Sequence, residues 1–175
     1  MKMIALHLIL MLALACANSA SPDDTEADGE AAAVTTIYLV RHAEKQDGED
    51  PQLTAAGQER AQRLASRLSD VSLAAIYSTD TRRTRATAQH TATAQQLQIN
   101  SYDGGRLEAL ADRLRSDEYR GRSVLVVGHS NTTPALANLL VGERQLSDFD
   151  DDDYGNLLIV TVRKGGGARV QSRRY

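Results

Sequence analysis

Ile37-Tyr38-Leu39-Val40-Arg41-His42-Ala43-Glu44-Lys45 is a short apolar run that ends on an arginine and a histidine. A second run, Val124-Leu125-Val126-Val127-Gly128-His129-Ser130-Asn131, also ends on a histidine. Near-continuous Val, Leu and Ile over this length reads as strands buried on both faces, as in parallel sheets. Ligands of open parallel sheets sit just past the carboxyl ends of the strands. Arg41, His42 and His129 are therefore expected to converge on one pocket, although they lie far apart in the chain.

The segments around these two strands alternate in type. Thr35 to Arg41 is the first strand. Thr54 is a plausible N-cap, and Leu53, Ala61, Leu64, Ala65 and Leu68 then follow at helical spacing. Leu73 to Tyr77 reads as a strand. Asp80 to about Leu97 is helical by length, with Asp80 as its candidate cap. Ile99 to Tyr102 is a short strand. Leu107, Leu110, Ala111 and Leu114 recur at i, i+3, i+4 and i+7, giving a third helix. Ser123 to Val127 is a strand. Pro134 to Val141 is a helix with proline in its first turn, and Leu157 to Val162 is another strand. Gly165 to Gly167 is a turn from which Arg169 to Ser172 returns as an edge strand. Strands alternating with helices imply an α/β domain, here a three-layer α/β/α arrangement on a mostly parallel sheet.

The 175 residues suit one folded domain. The formal net charge is −3, so the chain lacks the strongly basic character of a nucleic-acid surface. That charge is uneven. Residues 1–33 hold five acids and a single base, Lys2, which leaves the remainder close to neutral. The acidic run Asp148 to Asp153 reads as a solvated loop.

The N-terminus reads as an export signal. Met1-Lys2-Met3 precedes an apolar run from Ile4 to Ala15, which is short for a membrane span but long enough for a signal-peptide core. The run ends Ala13-Leu14-Ala15-Cys16, which resembles a bacterial lipobox. Cys16 is the only cysteine, so an intramolecular disulfide is excluded, and lipidation gives the lone thiol a reason. Cleavage by an ordinary signal peptidase near Ala15 is the alternative. Residues 17–33 have no large apolar side chain and read as a flexible linker. The expected organisation is a signal peptide over 1–15, an acidic linker over 16–33 and a folded domain over 34–175. Ala17 and Asn18 carry no aspartate-type retention signal. The expected location is thus the outer membrane, facing the periplasm, with a soluble periplasmic or secreted protein as the alternative.

Three segments then point to a family. Arg41-His42-Ala43-Glu44 after a strand resembles the Arg-His-Gly/Ala-Glu motif of the histidine phosphatase superfamily, whose fold is phosphoglycerate-mutase-like. Thr79, Arg83 and Thr87-Ala88 resemble its second motif, a Ser/Thr followed four residues on by Arg and eight on by Thr-Ala. Gly128-His129-Ser130 is similar to its third, and Leu53-Thr54-Ala55-Ala56-Gly57 also fits. The resemblance spans about residues 35–163.

The resemblance implies a phosphatase that works through a phosphohistidine, with His42 as nucleophile. Arg41, Arg83 and His129 would bind the phosphate. The chemistry agrees. A neutral imidazole, with an ordinary pKa near 6.5, has a lone pair at neutral pH. Planar guanidinium groups fork onto phosphate oxygens. On a helix Arg82 points about 100° from Arg83, so only one of them is expected to face the phosphate. For the general acid, Glu108 matches the position that the mutase branch uses, yet it also reads as a first-turn helix residue. Asp103 is the alternative, and a good leaving group needs no acid. His90 reads as a surface residue.

The short domain lacks the insertions of a full phosphoglycerate mutase. It looks more like the branch that includes protein-phosphohistidine and lipopolysaccharide-associated phosphatases. The loops Gln46 to Pro51 and Gly104 to Arg106 are short, so the site should be open. The expected substrate is a phosphorylated small molecule or protein. No cofactor and no metal are expected: no Cys is available to the domain, and its histidines lack His-x₃₋₅-His spacing. No nucleic-acid partner is expected, membrane contact should be through the anchor alone, and the protein should be a monomer. The competing reading is a non-catalytic phosphate- or partner-binding lipoprotein that retains the pocket.

Overall fold

The structure is a computed structural model that describes residues 33–163, 165 and 167–175. The export signal, Cys16 and the linker up to residue 32 lie outside the described residues. The elements are β1 (Val34–Arg41), α1 (Ala55–Arg67), β2 (Leu73–Ser78), α2 (Arg82–Gln95), β3 (Ile99–Ser101), α3 (Leu107–Arg115), a 3₁₀ turn (Asp117–Tyr119), β4 (Ser123–Gly128), α4 (Thr132–Val141), β5 (Asn156–Arg163) and β6 (Ala168–Arg174).

The six strands form one sheet in the order β3-β2-β4-β1-β5-β6. β3, β2, β4 and β1 run parallel; β5 and β6 are antiparallel additions. The period of two along each strand feeds two cores. Ile37, Leu39, Val124 and Val126 pack on α3 and α4 through Leu110, Leu114, Leu136 and Leu140. Val40, Ile76, Leu125 and Val127 face the other way onto Leu64, Leu68, Ala88 and Ala92 of α1 and α2. The result is the three-layer α/β/α fold that the alternating pattern implies. Leu125 is fully buried, so Leu125→Ala should cost about 2–5 kcal/mol.

This topology creates the site. From β1 the chain steps outward to β2 and β3 with helices on one face. It then returns to insert β4 between β2 and β1, with helices on the other face. The crevice between the carboxyl ends of β1 and β4 is therefore a topological switch point. Arg41 and His42 leave one lip, and His129 leaves the other.

Of the element ends that differ from the sequence reading, three have a cause visible in the structure. α2 starts at Arg82 with Thr81 as its N-cap, while Asp80 lies outside the helix and pairs with Arg85 at 3.4 Å. The Arg82 N–H instead donates to Asp50 Oδ1 at 3.0 Å, so the cap comes from another loop. α4 starts at Thr132, two residues early, because the Asn131 side chain accepts from the Thr132 N–H. β6 extends to Arg174 by pairing along most of β5.

Candidate active site

His42 follows β1 directly, and its backbone N–H donates to Gly128 O at 2.9 Å, which stitches the two lips together. The residue is 3% exposed. His42 Nδ1 lies 2.9 Å from its neighbour's carbonyl, Ala43 O. A carbonyl only accepts, so the proton sits on Nδ1 and the Nε2 lone pair is left free. Burial lowers the His42 pKa from 6.5 to about 4; the Ala43 carbonyl opposes this, and the positive Arg41 and Arg83 add to it. The imidazole is thus neutral at physiological pH.

His129 stands opposite, its ring centroid 5.6 Å from that of His42. Its Nε2 lies 2.9 Å from Thr79 Oγ1, whose hydroxyl donates to Thr84 Oγ1 at 3.0 Å. The Thr84 hydroxyl in turn donates to Thr79 O at 2.8 Å. This chain of donors puts the His129 proton on Nε2 and turns Nδ1 toward Arg83, whose Nη2 is 3.5 Å away. Burial, then Arg83 and Arg41, lower the His129 pKa to about 4.

Arg41 is 4% exposed. Its Nη1 donates to Asp150 O at 2.7 Å, and its guanidinium lies 4.3 Å above the Tyr154 ring. The acidic run therefore does more than sit in solvent. Its backbone carbonyls orient Arg41, while the side chains of Asp148, Asp150, Asp151 and Asp152 are exposed. Arg83 projects from the first turn of α2 toward His129, and its Nη1 lies 3.6 Å from Asp50 Oδ1. Arg82 points out to solvent. Arg41 Nε and Arg83 Nε are both buried without a hydrogen-bond partner. Two unmatched guanidinium donors beside a free imidazole lone pair form a concentrated receptor for a tetrahedral oxyanion.

The frame around the pocket is tight. The Ala43 N–H donates to Thr87 Oγ1 at 2.9 Å, and the Thr87 hydroxyl donates to Arg83 O at 2.8 Å. One threonine thereby couples the segment after His42 to the helix that carries Arg83. Glu44 is held by Arg60 of α1, with Nε 2.9 Å from both carboxylate oxygens. Burial acts to raise the Glu44 pKa, but the Arg60 fork outweighs it and the carboxylate titrates below its ordinary value. A Cβ on Gly57 would run into Glu44 O, so only glycine lets α1 approach this loop. A Cβ on Gly128 would lie 2.7 Å from the Tyr102 hydroxyl and 2.8 Å from Thr132 Oγ1.

The structure brings together Arg41, His42, Arg83 and His129. It does not bring Glu108 to them. Glu108 is exposed on the first turn of α3, in a cleft with Ala135, Asn138, Arg144 and Leu146. Asp103 is also exposed, and its carboxylate accepts from the Gly105 N–H at 2.8 Å. His90 is half-buried on α2. Sequence reasoning missed Tyr154 and Asp50. Tyr154 follows a loop without regular pattern, and Asp50 stands out in the sequence only as part of a short rim loop.

Residues 37–104 match the family model of the histidine phosphatase superfamily (branch 1). The matched region includes His42 and Arg83 and stops before His129. No curated protein matches the sequence. Among solved structures, the chain resembles a protein assigned as an alpha-ribazole-5′-P phosphatase of Escherichia coli, at 18% identity and TM-score 0.68, with 81% of this chain and 96% of that one covered. It also resembles a protein assigned as the phosphohistidine phosphatase SixA of Agrobacterium tumefaciens, at 24% identity and TM-score 0.60, covering 81% and 98%. A third is phosphoglycerate mutase from Bacillus anthracis, at 16% identity and TM-score 0.64, covering 81% and 93%. These likenesses identify the fold as phosphoglycerate-mutase-like.

Proposed function

We propose that the protein is an exported phosphatase that hydrolyses phosphomonoesters, or phosphohistidine, through a phosphohistidine formed on His42. The observation that carries this reading is the free Nε2 of a neutral, buried His42 beside two guanidinium groups, those of Arg41 and Arg83, each of which keeps an Nε without a partner. Arg41 and Arg83 receive the phosphate oxygens. Nε2 attacks phosphorus in line, and the bond to the leaving oxygen breaks. The departing oxygen takes a proton from solvent or from an acid. Water then attacks phosphorus, the P–N bond breaks, and inorganic phosphate leaves. The dianion's charge raises the His129 pKa, and Nδ1 is the ring atom left to take up that proton.

Turnover of p-nitrophenyl phosphate tests the reading. Its leaving group needs no protein acid, so the wild type should hydrolyse it and His42→Ala should not. A folded wild type that binds phosphate without turnover would instead support a non-catalytic phosphate-binding lipoprotein. For the N-terminus we propose export and acylation at Cys16, supported by the Ala-Leu-Ala-Cys pattern. Cys16→Ser should then release the protein from membranes, because stable anchoring needs more than one acyl chain. A wild type found wholly soluble in the periplasm would refute lipidation while sparing export.

A further inference from the structure

The pocket has a basic floor and an acidic margin. On the floor, Arg41 and Arg83 each bury an unpartnered Nε. The margin has two flanks. One is the loop Gln46-Asp47-Gly48-Glu49-Asp50-Pro51-Gln52, whose acidic side chains are exposed. Its Asp50 carboxylate sits on the first N–H of α2 and 3.6 Å from Arg83. The other flank is the run Asp150-Asp151-Asp152-Asp153, whose first and last carbonyls reach Arg41, while Asp148 lines the separate cleft with Glu108 and Arg144. Neither loop contains a Lys or Arg. Among the described residues, Asp47, Glu49, Asp150, Asp151 and Asp152 form no salt bridge; the pairs made from these loops are Asp50–Arg83 and Asp153–Arg174. Lys45 and Arg82 stand on the same margin and are outnumbered.

Such a margin acts on whatever is attached to the phosphate. A dianion that reaches Arg41 and Arg83 lies past several carboxylates, so a second negative group on the substrate meets repulsion at the rim. A positive group there is attracted, and the attraction strengthens where water is excluded. We propose that the preferred substrates are zwitterionic: phosphomonoesters whose alcohol portion carries an ammonium group, with the phosphate on the arginine floor and the ammonium against Asp50 and the 150–152 carboxylates. This rests on the phosphatase reading and adds a substrate class to it.

The test compares O-phosphoethanolamine, glycerol phosphate and phosphoglycolate, by kcat/KM and by calorimetric binding to the full chain. Wild type, Asp50→Asn and the threefold variant D150N/D151N/D152N are each assayed. The alcohols differ in leaving ability, so the deciding quantity is how the phosphoethanolamine-to-phosphoglycolate ratio changes between proteins. The ratio should favour phosphoethanolamine by at least about tenfold in the wild type. It should fall several-fold in each variant, and it should shrink in ~1 M salt, where the Debye length is about 3 Å. A ratio that stays the same in all three proteins overturns the proposal. If no phosphomonoester turns over at all, the phosphatase reading fails, and the binding ratios still decide the charge preference.

Discussion

A neutral His42 should cost the folded protein stability in acid, and the amount follows from its surroundings. In the unfolded chain this histidine takes up a proton near pH 6.5. In the fold its pKa lies at about 4, chiefly through burial. Between these values the unfolded state binds a proton that the native state refuses, so stability falls as pH drops from about 6.5 to 4 and the loss is complete near pH 4. A gap of this width corresponds to about 3 kcal/mol, at about 1.4 kcal/mol for each pH unit. Burial of the residue leaves little room for solvent screening. Urea unfolding followed by circular dichroism, from pH 7 to pH 4 in a buffer without phosphate, measures it. His42→Asn removes the titration while keeping a side chain of similar bulk. The wild type should lose about 3 kcal/mol relative to that variant over this range. Saturating phosphate should shrink the loss, because a bound anion favours the cationic ring. Parallel pH profiles for the two proteins would refute the reasoning.

Arg83→Ala should lower kcat/KM by the equivalent of at least about 2–3 kcal/mol, as expected when an oriented donor to a developing oxyanion is removed. Arg82→Ala should cost far less, and steady-state kinetics of the two variants decides whether the helix register is right. Tyr154→Ala should weaken phosphate binding through Arg41, whose guanidinium rests on the ring; the cation–π contact is worth about 1–2 kcal/mol. Tyr154→Phe should behave as wild type in the same calorimetric titration. Glu108→Gln should change alkyl and aryl phosphate hydrolysis little and equally, since Glu108 touches none of the four pocket side chains. A selective loss of about 10²-fold or more on the alkyl ester would make it the general acid after all.

Much of this architecture is legible in the sequence because it rests on local patterns. The continuous aliphatic runs at 37–40 and 124–127 belong to strands buried on both faces. Each run ends at the switch point, so the placement of His42 and His129 follows from the strand pattern and the sheet rule together. Arg83 follows from its four-residue spacing to Thr87, which puts both on one helix flank, with Thr79 four residues earlier, just past the end of the preceding strand. What escapes the sequence depends on long-range pairing. The antiparallel addition of β5 beside β1 swings residues 148–154 over the pocket, and only then does Tyr154 come under Arg41. The Asp50 cap on α2 escapes for the same reason: a capping carboxylate normally lies next to its helix in sequence, as Asp80 does, and here it comes from the loop before α1. The acidic run looks merely solvated in sequence because its contribution to Arg41 is made by backbone carbonyls, which leave no mark on side-chain composition.

Trapping the covalent intermediate tests the central claim most directly. Wild-type protein would be mixed with a fast-leaving aryl phosphate labelled in the phosphoryl group, quenched in alkali within milliseconds and digested, and the labelled peptide sequenced by mass spectrometry. The label should be on His42 at Nε2, stable in alkali, lost in acid, and absent from His42→Ala. Label on any other residue, or efficient turnover by His42→Ala, would contradict a mechanism that runs through this histidine.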